Sequence, residues 1–249
     1  MAKNSSIIKI EGTLDGMTFY KTANGHFVRT KGGISKEKIM NDPAFARTRE
    51  NMREFTHVTK SSQFMRRSLG GLLSKAKDNR VSNRLNSVFS KIKKLDSQSV
   101  RGERQVGIGL QGASGKSLLK GFEFNKRAPL WQVLLKDYNL DVQTGHFSLV
   151  DFVPKVDLHA PEGSTDVQFS MAAIQMDFTT GSFDKTLVNE SLLPLDMTAQ
   201  TMDLNLSGLP SGSGVLLFVL LIEFFQTLNG QNYPLRNGAF NVLHVLDVI

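Results

Sequence analysis

An α+β fold is predicted, with an N-terminal β-meander and helical hairpin followed by an antiparallel β-sandwich, and three observations predict it. Near the start, the turn dipeptides Asp15-Gly16 and Asn24-Gly25 bracket residues that alternate with a period of two. Residues 81–95 carry one apolar stripe at helical spacing. Beyond residue 121 the period returns to two and stays there.

The first element is a meander of three short strands at 7–14, 17–22 and 26–30, in which Met17 and Phe19 alternate with Thr18 and Tyr20. A meander this small is marginal unless it packs on something. Asn41-Asp42-Pro43 then supplies an N-cap and a proline at the first helical position, where the missing N–H is harmless. Phe45, Met52, Phe55 and Val58 recur near helical spacing until Gly70-Gly71, and the other face carries Arg47, Arg49, Arg53 and Lys60 with Glu50 and Glu54 between them.

In the second helix, Val81, Leu85, Val88, Phe89, Ile92 and Leu95 form the stripe, while Lys91, Lys93 and Lys94 complement the negative end of the helix dipole. Two such helices in succession predict an antiparallel hairpin. Residues 97–121 are rich in Gly, Ser and charge and set the predicted boundary, giving a basic domain 1–105 and a β domain 106–249.

In that second domain no helix is expected. Val167, Phe169, Met171 and Ala173 alternate with Gln168, Ser170 and Ala172, and Met202, Leu204 and Leu206 alternate with Asp203, Asn205 and Ser207. Asn229-Gly230 and Asn237-Gly238 mark turns, and 240–249 reads as a final strand docked within its own chain. The apolar run 215–222 is too short for a membrane span, which needs roughly 20 residues, and instead predicts a strand covered on both faces. A jelly-roll or immunoglobulin-like sandwich follows.

The formal net charge of +7 is unevenly placed. Residues 1–105 hold 22 basic and 9 acidic side chains, residues 106–249 hold 8 and 14. Such asymmetry suits a polyanion surface, or association between copies of opposite local sign. The candidate contact residues are Arg47, Arg49, Arg53, Arg66, Arg67, Lys91, Lys93, Lys94, Arg101 and Arg104. The chain has no cysteine, which excludes disulfides and thiolate chemistry. Its start lacks a secretory apolar segment, so a cytoplasmic protein, or one carried in a virion or assembled particle, is expected.

Residues 107–117, Gly-Ile-Gly-Leu-Gln-Gly-Ala-Ser-Gly-Lys-Ser, approximate a phosphate-binding loop, but its first glycine is one position out, since Leu110 stands where glycine is required. The same stretch spells the dinucleotide fingerprint without a βαβ unit around it. His26, His57, His146, His159 and His244 are scattered with no metal-binding spacing. No nucleophile elbow is present. Asp177 and Asp184 are placed to meet across a hairpin as an acid–base pair, although solvated turn residues explain them more simply. No enzyme activity, cofactor, metal or small-molecule substrate is expected.

Gly12-Thr13-Leu14-Asp15-Gly16-Met17-Thr18-Phe19-Tyr20 and Asn41-Asp42-Pro43-Ala44-Phe45-Ala46-Arg47-Thr48-Arg49-Glu50-Asn51, continuing to Glu54-Phe55, resemble a family of uncharacterised Bacteroidota proteins. Ser99-Val100-Arg101-Gly102 and Gly121-Phe122-Glu123-Phe124-Asn125 add to the likeness. The resemblance implies a bacterial or phage origin and no mechanism. The functional expectation is a homo-oligomeric structural protein whose copies join basic front to acidic back, as a filament, tube or phage-like particle. The alternative is a non-specific nucleic-acid or polyanion binder using the basic helices.

Overall fold

A computed structural model describes residues 2–30, 32–189, 192–235 and 239–249, and the predicted Asn237-Gly238 turn lies outside them. The chain forms two compact units, Met1–Arg49 and Glu50–Ile249.

In the first unit, β1 (Ala2–Lys3), β2 (Gly12–Leu14), β3 (Met17–Thr22) and β4 (Gly25–Thr30) make an antiparallel sheet in the order β1-β4-β3-β2. The meander is therefore four-stranded, and its expected first strand shortens to Gly12–Leu14. Asp15 and Gly16 both take positive φ, 45° and 75°, as the predicted turn requires. The second turn sits one residue earlier than predicted: Thr22 pairs with Gly25, which leaves Ala23 and Asn24 at its centre. A short helix, α1 (Lys36–Asn41), is capped by Ser35, whose Oγ accepts from the Lys38 amide at 3.2 Å. Asp42 caps a 3-10 turn at Pro43–Phe45, accepting from the Ala44 amide at 2.9 Å, and the chain runs on into α2 (Ala46–Leu69).

The second unit adds α3 (Gly71–Lys75), α4 (Val81–Ile92), α5 (Val106–Gly109), α6 (Ala113–Leu119), α7 (Leu130–Val133) and α8 (Pro154–Asp157). Its strands are β5 (Asn139–Asp141), β6 (His146–Phe152), β7 (Asp166–Asp177), β8 (Ser182–Asn189), β9 (Leu193–Pro194), β10 (Gln200–Asn205), β11 (Val215–Leu228), β12 (Gln231–Pro234) and β13 (Val242–Val248). The short helices α5 to α8 escaped the sequence reading because 4 to 7 residues is less than two turns, too few to establish a period.

β7 and β11 pair antiparallel along nearly their whole length. β12 and β13 extend the sheet beyond β11, and β8 and β9 extend it beyond β7. A second antiparallel sheet, β10-β6-β5, packs against it. The final strand docks on β11 of the same chain, with Leu217 opposite Val248 and Ile222 opposite Val242.

Alternation along β11 separates two cores. Phe218, Leu220, Ile222 and Phe224 join Phe169 and Met171 of β7, Phe147 and Leu149 of β6, and Met202 and Leu204 of β10. Leu217, Val219 and Leu221 face the other way, onto Val58, Met65 and Leu69 of α2 and Leu85, Phe89 and Ile92 of α4. Hence the 215–222 run is continuously apolar because it is buried on both sides, each Leu or Phe contributing about 1.5–3 kcal/mol. Helices before residue 105 and strands after it share one core.

The helical hairpin runs antiparallel, since Lys93, just past α4, ion-pairs with Glu54 near the start of the buried part of α2. α4 buries Val81, Leu85, Phe89 and Ile92, but Leu95 falls in a 3-10 turn and is exposed. α2 departs from its predicted face. Met52 and Phe55 are 49% and 58% exposed, whereas Glu54, Val58, Ser61, Ser62, Met65 and Leu69 are buried. Apolar periodicity could not find a face whose first member is a paired carboxylate.

Candidate functional site

Two motif segments far apart in sequence interlock. Arg101 pairs with Glu50 at 3.1 Å and donates to Asn51 Oδ1 at 3.3 Å. The next residue, Gly102, donates its amide to Glu54 Oε1 at 2.9 Å. Its φ of 94° and the 2.9 Å separation between an added Cβ and the Glu50 Cγ require glycine there. Asp96 closes the loop by accepting from the amides of Gln98, Ser99 and Gln105 at 2.8–2.9 Å. His57 Nε2 then accepts from the Val106 amide at 3.0 Å, so the ring proton resides on Nδ1.

The electrostatics follow from these contacts. Burial alone would raise the Glu54 carboxyl, but hydrogen bonds from Lys93 and Gly102 and the charges of Lys93 and Arg104 hold it below its usual value. Asp96 is likewise opposed by burial and lowered overall by the amides of Gln105 and Ser99. Burial, reinforced by Lys93, lowers His57 and keeps it neutral at pH 7. Both carboxylates and the imidazole acceptor are occupied by main-chain or lysine donors, an arrangement that fastens a loop rather than moving protons.

The ten predicted cations have different partners. Lys93 and Arg101 serve the latch. Arg49 donates to the carbonyls of Ile39 and Asp42 at 2.7 and 2.9 Å. Arg67 lies 5.9 Å from the Phe64 ring centroid. Arg66 and Arg104 are half-buried, each with a buried Nε that has no hydrogen-bond partner. Arg47, Arg53, Lys91 and Lys94 are exposed.

The glycine-rich segment is a packing device. A Cβ on Gly109 would lie 2.2 Å from the Ile92 carbonyl oxygen, and one on Gly115 would lie 1.9 Å from that of Gly109, so α4, α5 and α6 approach backbone to backbone. Lys116 lines a 380 Å³ depression with Asp177 and Ser213. Asp177 and Asp184 do not meet. Asp177 accepts from the Thr179 amide and the Ser213 hydroxyl, which bring its pKa down to about 2, and Asp184 accepts from the Ser211 amide at 3.0 Å. Both fasten the 211–213 loop to the hairpin.

The histidines are dispersed too: His146 bonds Asp203 at 2.8 Å, His244 bonds Glu123 at 2.7 Å, and His159 meets Phe240 edge to face. Among the described residues no group of three acidic or imidazole side chains is placed to hold a metal, and no helix is long and apolar enough to cross a membrane.

Among the described residues, two apolar surfaces are at least partly exposed. In the N-terminal sheet, the pairs Leu14–Met17 and Phe19–Val28 put Leu14, Met17, Phe19 and Val28 on one face. None of the described residues from Ala2 to Arg49 is buried. In the second unit, the Leu135 amide donates to the Asp157 carbonyl and the Lys155 amide to the Asp196 carbonyl, which brings α7, α8 and residues 195–197 together. Trp131, Leu135, Val156 and Met197 on these segments are 70%, 61%, 55% and 69% exposed. Exposed Asp137, Asp151 and Asp196 accompany them, with Lys136 and Lys155. Sequence reasoning missed this patch because apolar residues on isolated short turns have no periodicity.

No protein-family model, curated protein or solved structure matches the chain. What its fold defines is a class, an α+β protein whose second unit stacks two antiparallel sheets with a helical layer on the larger one.

Proposed function

We propose that the chain is a non-catalytic assembly protein of bacterial or phage origin, akin to the uncharacterised Bacteroidota proteins its motifs resemble. The basic N-terminal unit of one copy docks on the acidic back of the next. The observation that carries this reading is that the first 49 residues form a sheet with an apolar face and no buried residue among those described. A sheet without a core gains stability only against another surface. That unit has nine basic and four acidic side chains, which suits the acid-flanked patch around Trp131. Because the two surfaces differ, the contact is heterologous and builds rings or open filaments.

The chain contains a single tryptophan, so its emission reports directly on that patch. Sedimentation of the full chain at low and high salt, with Trp131 fluorescence followed over concentration, tests the reading. Oligomers at low salt and a blue shift on association are expected. A strict monomer in both salts with unchanged emission would overturn it.

A further inference from the structure

At the start of α4, the turn at residues 78–80 meets the loop at 124–127 around a cavity of 620 Å³ lined by Asp78, Asn79, Arg80, Arg84, Lys126 and Arg127. The two segments are locked together. The Asp78 carboxylate accepts from the Arg80 amide at 2.7 Å and the Lys126 amide at 3.0 Å, and it ion-pairs with Arg84. Arg84 also donates to the carbonyls of Glu123 and Phe124 at 2.6 and 3.2 Å and lies 5.3 Å from the Phe122 ring centroid. Burial pushes the Asp78 carboxyl up, but the amides of Lys126 and Arg80 and the Arg84 charge hold it below its ordinary value.

The wall is thus rigid, and its one carboxylate is already satisfied. Arg80, Lys126 and Arg127 are exposed, and their side chains have no ion-pair partner among the described residues. Four cations face one anion, and like charges gathered on a fixed frame repel until a counter-charge enters. Guanidinium groups flanking an ammonium suit phosphate oxygens, which arginine grips in pairs and lysine neutralises as a point charge. The volume falls within the range of about 300–1,000 Å³ usual for small-ligand pockets.

From this geometry we infer that the cavity is a binding site for a multiply charged phosphate group, held by Arg80, Lys126 and Arg127 with Arg84 as the fixed floor. The site shares no residue with the apolar surfaces of the assembly reading and does not rest on it. None of its four cations belongs to the set read from the sequence. Arg80 and Arg84 stand at the start of α4 and Lys126 and Arg127 in the 124–127 loop, and Asp78 joins the two segments by accepting from the Lys126 amide.

Calorimetric titration of the full chain with sodium tripolyphosphate tests the assignment, using the wild type, a Lys126→Glu/Arg127→Glu variant, and a control Lys91→Glu/Lys94→Glu at the far end of the α4 helix. All four substituted side chains are exposed, and each variant changes the charge equally. Wild type should bind, the cavity variant should lose at least tenfold in affinity, and the control should change less than twofold. Absence of binding by the wild type, or an equal loss in both variants, overturns the site. A second arm titrates a short DNA duplex into the tripolyphosphate complex. Displacement identifies a nucleic-acid backbone as the source of the phosphate, and retention identifies a small phosphate compound.

Discussion

β11 and the N-terminal sheet are both antiparallel strands with alternating side chains, yet they occupy opposite extremes of burial. From Val215 to Phe224 only Leu216 escapes full burial, whereas the described residues of β1 to β4 are at most half-buried. The difference lies in what covers each face. β11 has a helical layer on one side and the β10-β6-β5 sheet on the other. The N-terminal sheet has an apolar face, Leu14, Met17, Phe19 and Val28, and no core within its own unit. Identical local geometry therefore supports a sheet with no buried residue in one unit and the centre of the core in the other. Tertiary cover, not strand propensity, decides which.

Substitutions on the two sheets sharpen that contrast. The largest effect is expected for Leu220→Ala, which opens a cavity in the inter-sheet core and should cost about 2–5 kcal/mol in urea unfolding. Next comes the latch. Asp96→Ala leaves the amides of Gln98, Ser99 and Gln105 without their acceptor, and a loss of about 1–3 kcal/mol should appear in the same measurement.

The latch also sets a pH dependence. The folded-state pKa of His57 is lowered, so below about 6.5 the unfolded chain takes up a proton that the folded one refuses, and stability falls as the solution is acidified. Glu54 and Asp96, lowered as well, extend the loss below about pH 4. His57→Gln should flatten the urea midpoint between pH 6.5 and 5, and an unchanged slope there would remove His57 as its source. The smallest effect on unfolding is expected for Leu14→Ala, within about 0.5 kcal/mol, because the side chain is 56% exposed. Its consequence should appear instead as weaker association in sedimentation.

Much of the fold was legible where side chains followed a single period. The α4 stripe placed Val81, Leu85, Phe89 and Ile92 in the core, and the doubly buried 215–222 strand could be read from its unbroken apolar run. On α2 only part of the predicted face is buried: Val58 is in the core, but Met52 and Phe55 are exposed, and Glu54, Ser61 and Ser62 are buried through partners and packing that a hydropathy pattern does not contain. The motifs at residues 49–54 and 99–102 were visible as spellings. Their meeting was not, since it depends on a loop closed by Asp96 accepting main-chain amides. The cationic cavity was hidden for a similar reason: charge counts along a chain do not say which loops fold side by side.

Because successive side chains of β11 belong to different cores, the strand is a common wall, and neither compartment can melt while the other survives. Residues 50–249 should consequently lose their structure in one cooperative step on heating, with helical and sheet signals vanishing together.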